Sequence, residues 1–234
     1  SPTTRPWWYY DVRQQGEGIA DVSSHYIDLL WWQCFPDKAI TDADVNLTSA
    51  KHYPTIITPE QYKTSTGLAE FPEELAGNID ADGNLPVYSN GVIEYSTFGR
   101  NIRFEIRWDF QAEEGGGDSY HCVIPFENAV IDVRQDAETS WTREIFVKTD
   151  SLRAANAEKK LAKEFDFVKF EPAGEDRWRI VIPSEYRPTH EEHLNLVGRA
   201  FLSCICGEPI PAWEKVNTLT KYRLTTEAVR LANQ

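Results

Sequence analysis

From Pro86 to Pro183 the chain reads as one strand after another with a single helical pattern among them. That run constrains the fold more than any other feature. Parallel strands need crossover helices between them, whereas antiparallel strands need only turns. Val87–Ser89 and Val92–Ser96 flank Asn90-Gly91, a dipeptide that favours a tight hairpin. Residues 102–108 (Ile-Arg-Phe-Glu-Ile-Arg-Trp) alternate apolar and charged side chains, as a strand with one wet face does. Tyr120–Pro125, Ala129–Arg134, Glu144–Lys148, Phe167–Glu171 and Arg177–Pro183 continue the series, and a helix over Ser151–Phe165 interrupts it, with Leu152, Ala155 and Leu161 expected inward. The expected fold is α+β: a large open-faced, predominantly antiparallel sheet spanning roughly 86–183, with helices packed on one face.

Helices gather at the two ends. Asp21 to Gln33 forms an apolar helical run that should stop before Phe35-Pro36, because a residue preceding proline disfavours the helical region. Thr189 is placed to cap His190–Cys206, with Leu194, Val197, Phe201 and Leu202 on one stripe. Pro211–Asn217 then leads into Thr220–Ala232. Residues 37–85 read as an irregular surface insertion with short helices at Pro59–Thr66 and Pro72–Gly77.

At 234 residues the chain can bury a real core as one large domain or two small ones. A net charge of −13 without a basic cluster argues against nucleic acid and anionic membranes as partners. No apolar run is long enough to span a bilayer, so either cytoplasm or periplasm suits the chain. The four cysteines do not read as a disulfide framework, and Cys204-x-Cys206 has the wrong spacing for a zinc knuckle. His190-x-x-His193 lacks a third ligand, so no metal is expected. There is no methionine, which implies that translation begins upstream of Ser1.

Chemistry concentrates at Gly18–Trp32. On a helix, Asp21 and His25 share one face, so a carboxylate and an imidazole can converge on one substrate oxygen, the first orienting the ring and the second moving a proton. An exposed ion pair or a helix cap would use the same spacing. Gly16 and Gly18 allow close backbone approach, to a ligand or to neighbouring structure. Tyr10 and Arg13, beside Trp7-Trp8-Tyr9, are candidates to bind a sugar hydroxyl or carboxylate, or else pack the loop. His121 opens a strand after a glycine-rich connection. It either faces the same cleft as His25 or is satisfied within the sheet.

Several blocks carry a resemblance: residues 7–18 (Trp-Trp-Tyr-Tyr-Asp-Val-Arg-Gln-Gln-Gly-Glu-Gly), residues 21–29 (Asp-Val-Ser-Ser-His-Tyr-Ile-Asp-Leu), residues 117–121, residues 213–217 and Lys221-Tyr222. Across nearly its whole length the chain resembles the C-terminal domain of oxidoreductases of the Gfo/Idh/MocA family, named for glucose–fructose oxidoreductase and inositol dehydrogenase. The resemblance implies a substrate-binding and oligomerisation domain acting on a sugar or cyclitol hydroxyl. It makes His25 the proton acceptor, Asp21 its acidic partner, and a homo-oligomer formed through the open sheet face. Family members bind NAD or NADP on an N-terminal Rossmann domain. The Gly-x-Gly-x-x-Gly loop and the Glu-Lys-Pro lysine are absent here, so the cofactor is expected with the full-length protein and none with this chain alone. A non-catalytic carbohydrate-binding or assembly module, and an NAD-dependent glycosidase-type enzyme, are the alternatives.

Overall fold

The computed structural model describes residues 4–112, 115–187 and 189–234, with the side chains of residues 190 and 191 outside the description. The His190 side of the His190-x-x-His193 pair therefore lies outside the described residues. The chain divides into two compact units, Ser1–Phe110 with Pro209–Gln234, and Gln111–Glu208.

In the first unit a three-stranded antiparallel sheet runs β1 (Val45–Ile57), β2 (Leu85–Thr97), β3 (Arg100–Ile106), in that spatial order. A 3-10 turn at Trp7–Tyr10 and the short α1 (Val12–Gln15) lead to α2 (Asp21–Cys34). The chain closes with α6 (Glu214–Ala232). Ile27 and Trp31 of α2, Leu224 and Ala228 of α6, and Ile93 and Tyr95 of β2 form one buried cluster with Ile19 and Ile40. The opposite sheet face is wet, with Glu94, Arg103 and Glu105 joined in ion pairs. Asn217 ties the start of α6 to the segment after α2, accepting from the Ile40 amide at 2.6 Å and donating to the Lys38 carbonyl at 3.0 Å. The buried Lys221 pairs with Asp28 of α2.

Two expectations change here. The segment 37–85 holds a 13-residue strand, β1, besides α3 (Pro59–Thr66) and a 3-10 turn at Glu73–Asn78. Register shifts at Leu47/Ser49 and Tyr53/Thr55 break the period-two pattern of β1, Pro54 sits at the second, and Ala50 and His52 take partly buried positions where large aliphatics would have shown the strand. Asn90-Gly91 is not a turn. It lies inside β2, where the Asn90 side chain donates to Thr55 Oγ1 at 2.8 Å and accepts from the Trp108 amide at 2.6 Å. A Cβ at Gly91 would fall 2.3 Å from Ile19 Cγ2 and 2.4 Å from the Lys51 carbonyl oxygen, so glycine serves close packing and not a positive φ.

The second unit is a five-stranded antiparallel sheet in the order β4 (Tyr120–Pro125), β5 (Val130–Gln135), β6 (Glu144–Lys148), β8 (Arg177–Val181), β7 (Lys169–Pro172). The fold is thus α+β with antiparallel pairing throughout, but its strands form two sheets and not one spanning 86–183. The division falls between β3 and β4, in the stretch carrying Gly115-Gly116-Gly117.

The register sorts the side chains of this sheet cleanly. Cys122, Val133, Ile145, Ile180 and Phe170 form one cross-strand row, and Ile124, Ile131, Val147 and Trp178 another on the same face. The opposite face is ionic: Asp132 meets His121 and Arg134, and Glu144 meets Arg179 and Arg187.

Helix α4 (Ser151–Leu161) is capped by Asp150, which accepts from the Arg153 amide. Its covered stripe is Ala154, Ala157, Glu158 and Leu161, whereas Leu152 is 71% exposed and Ala155 is exposed. Of the expected inward set only Leu161 is covered, because Glu158 faces inward to accept the Phe170 amide at 2.9 Å and Leu152 turns outward. Helix α5 (His190–Ile205) has the expected Thr189 cap, with Glu192 completing a capping box. Its stripe of Leu194, Val197, Phe201 and Leu202 is exposed.

Burial raises the Glu144 carboxyl, but the guanidinium groups of Arg179 and Arg187 outweigh burial and hold it below its ordinary value. A depressed folded pKa stabilises the fold above the unfolded value of 4.5, and that stabilisation is lost as pH falls through the folded value. Acid titration of unfolding should therefore show a loss of stability below that pH which Glu144→Gln removes. An unchanged acid limb in Glu144→Gln would exclude this group.

Candidate active site at the start of helix α2

The segment before α2 is a chain of caps. Asp11, 2% exposed, accepts from the Arg13 amide and starts α1. The Arg13 guanidinium donates to both Asp11 oxygens, at 2.8 and 3.0 Å, and to the Glu74 carbonyl. That contact holds the Asp11 carboxyl below the usual range against the effect of burial. Arg13 is thus committed to its own loop. Tyr10 is a core residue whose hydroxyl donates to Ser65 Oγ at 2.6 Å, and burial pushes its phenol up. Of the two candidate sugar contacts, Tyr10 is buried and Arg13 is exposed with its guanidinium paired to Asp11.

Gly16 adopts φ +93°, and Gly18 presses onto β2, its amide donating to the Tyr88 carbonyl at 3.0 Å. A Cβ at Gly18 would lie 1.9 Å from the Ser89 carbonyl oxygen. The close approach offered by these glycines serves neighbouring structure. The Glu17 carbonyl accepts from the amides of Ala20 and Asp21, both at 2.9 Å, and so caps α2 from the main chain.

Asp21 begins the helix half-buried, its Oδ2 accepting from Gln15 Nε2 at 2.8 Å. His25 stands one turn later, exposed. Among the described residues no hydrogen bond joins the two. Gln15, which sequence reasoning missed, orients the carboxylate in place of the ring. Two turns beyond His25 on the same face stands Trp32, 51% exposed. His121 belongs to the second unit, where its Nε2 lies 3.0 Å from Asp132 Oδ1.

Sequence reasoning also missed His52. Its Nδ1 lies 2.6 Å from Glu17 Oε2, and both side chains are largely covered, at 14% and 12% exposure. A histidine inside an unrecognised strand gave no local signal. Glu17, between two glycines, gave a weak one.

A dinucleotide's pyrophosphate needs a parallel strand–glycine turn–helix unit. Among the described residues every strand pairing is antiparallel. The starts of α2, α3, α4 and α5 are already capped by Glu17, Thr58, Asp150 and Thr189. The described residues thus show no parallel strand–glycine turn–helix unit of that kind. No helix among the described residues is long and apolar enough to cross a membrane.

The class defined here is an α+β chain with two antiparallel sheets and a helix start that carries a carboxylate and an imidazole one turn apart. The chain matches the family described as "Putative oxidoreductase C terminal domain" over residues 1–233 and belongs to it. Among solved structures it is similar to a putative oxidoreductase from Parabacteroides merdae ATCC 43184, with 35% identity and a TM-score of 0.95. The match takes in 100% of this chain and 55% of that one, so the chain spans little more than half of that neighbour. No curated protein matches.

Proposed function

We propose that this domain supplies the substrate side of a nicotinamide-dependent oxidoreductase of the Gfo/Idh/MocA type, acting on a hydroxyl of a sugar or cyclitol. The observation that carries the reading is the start of α2, where an exposed imidazole follows a half-buried carboxylate held by an amide. Oxidising an alcohol removes a hydride from carbon and a proton from oxygen. A nicotinamide bound beside the substrate would accept the hydride. His25 takes the hydroxyl proton on a ring nitrogen, and the Asp21 carboxylate stands one turn earlier on the same helix. Exposed Trp32 on the same face gives the apolar side of a sugar ring a surface to lie against, which supports a carbohydrate over a linear acid. Loss of turnover in a folded His25→Ala variant, assayed with the cofactor domain attached, tests the reading.

The domain also assembles, in this reading. The apolar rows of the five-stranded sheet leave Ile131, Val133, Ile145, Val147 and Trp178 only half-covered, and a second copy related by a two-fold axis presents the same rows. Light scattering at tens of micromolar, on the order of working concentrations for weak interfaces, should give a multiple of the chain mass, and Ile145→Glu should return it to monomer. A monomer at that concentration would overturn the assembly.

A further inference from the structure

Glu17 is the only residue between Gly16 and Gly18 with a side chain to anchor the loop, and both of its carboxylate oxygens are engaged. Oε2 lies 2.6 Å from His52 Nδ1 on β1, and Oε1 accepts from Asn233 Nδ2 at 3.2 Å at the end of α6. The imidazole is fixed in turn against the Tyr88 ring, with centroids 4.4 Å apart. Gly91 stands opposite His52 in the register, and any side chain there would collide with Ile19 of the same loop. The main chain of Glu17 meanwhile receives the Ala20 and Asp21 amides. One residue thus joins a side-chain anchor on β1 and α6 to the backbone cap of the helix that carries Asp21.

We propose that His52 and Glu17 form a positioning pair: their contact sets the start of α2 and so directs the Asp21 carboxylate toward its place beside His25. The inference rests on the reading of Asp21 and His25 given above, but the geometry it predicts can be measured without catalysis. A hydrogen bond to a charged group is worth about 1.5–3 kcal/mol, or roughly 10- to 100-fold in a local opening equilibrium. Gly16 has the conformational freedom to let the loop swing once the anchor is gone.

The test is amide hydrogen exchange on the chain. In His52→Ala, exchange at Ala20 and Asp21 should quicken by about 10- to 100-fold, while Ile27 and Trp31, buried deeper in α2, keep their protection. His52→Asn places an amide donor where Nδ1 stood and should restore the slow exchange. Should His52→Ala not fold, Glu17→Gln carries the same measurement. With the cofactor domain attached, kcat should fall in His52→Ala with KM little changed, and His52→Asn should recover most of it. Unchanged exchange at Ala20 and Asp21, or equal loosening along all of α2, would overturn the positioning role. If His25→Ala keeps its turnover while His52→Ala still frees the two amides, the pair holds the loop and the catalytic reading of Asp21 and His25 fails by itself.

Discussion

On the proposed function, His25→Ala is expected to lower kcat by ~10²–10⁴-fold, the usual worth of a positioned general base, with KM changed far less. The side chain is exposed and makes no hydrogen bond among the described residues, so its removal costs the fold little. Surface changes of this kind stay within roughly 0.5 kcal/mol. Asp21→Asn should act more mildly. The asparagine oxygen can still accept from Gln15, so the loop keeps its shape and only the negative charge beside the imidazole is lost. A pair of steady-state curves separates the two, since one variant lacks the proton acceptor and the other keeps it with less help. Near-normal turnover in folded His25→Ala would place the chemistry on another residue.

The start of α2 was legible because helices announce themselves locally. Asp21, the run through Trp31 and the stop before Phe35-Pro36 are short-range signals, and the helix runs Asp21–Cys34 as the pattern implies. The strands from Tyr120 to Pro125 and Glu144 to Lys148 were readable for the same reason, as short apolar runs whose pairing has no bulge. β1 was not, because its covered face holds Ala50 and His52 around two register shifts, and its partner in space lies some tens of residues away. Asn90-Gly91 misled because turn propensity and close packing select the same dipeptide, and only the third dimension shows Ile19 pressing on Gly91.

The candidate site divides along the same line. Asp21 and His25 were found by spacing. Gln15, Glu17 and His52 matter through contacts across loop, strand and terminal helix, which no window of sequence contains. Tyr10 and Arg13 were read two ways because an aromatic cluster beside an arginine looks the same whether it greets a ligand or packs its own loop. The Tyr10 hydroxyl donates to Ser65 and the exposed Arg13 guanidinium pairs with Asp11.

Trp31→Ala should do the reverse of His25→Ala. The indole is 1% exposed among Ile27, Ile40, Ile93, Leu224 and Ala228, and its Nε1 donates to Thr97 Oγ1 at 3.1 Å. Truncating a buried tryptophan costs about 3–5 kcal/mol, and Thr97, fully buried, loses a partner that water cannot replace. At ~2–4 °C per kcal/mol for a chain of this size, the unfolding midpoint should fall by roughly 6–20 °C. Trp31→Phe keeps most of the volume and loses only the N–H, so it should cost about 1–2 kcal/mol. Asp21 lies ten residues earlier, ~15 Å along the axis, where backbone hydrogen bonds of Glu17 and Gly18 also hold the helix start. Below its melting transition Trp31→Ala should therefore turn over near the normal rate, whereas His25→Ala melts normally and turns over ~10²–10⁴-fold more slowly. A Trp31→Ala midpoint within a couple of degrees of the parent would mean that α2 is anchored elsewhere, and equal loss of rate and stability in both variants would mean that core and site are not separable.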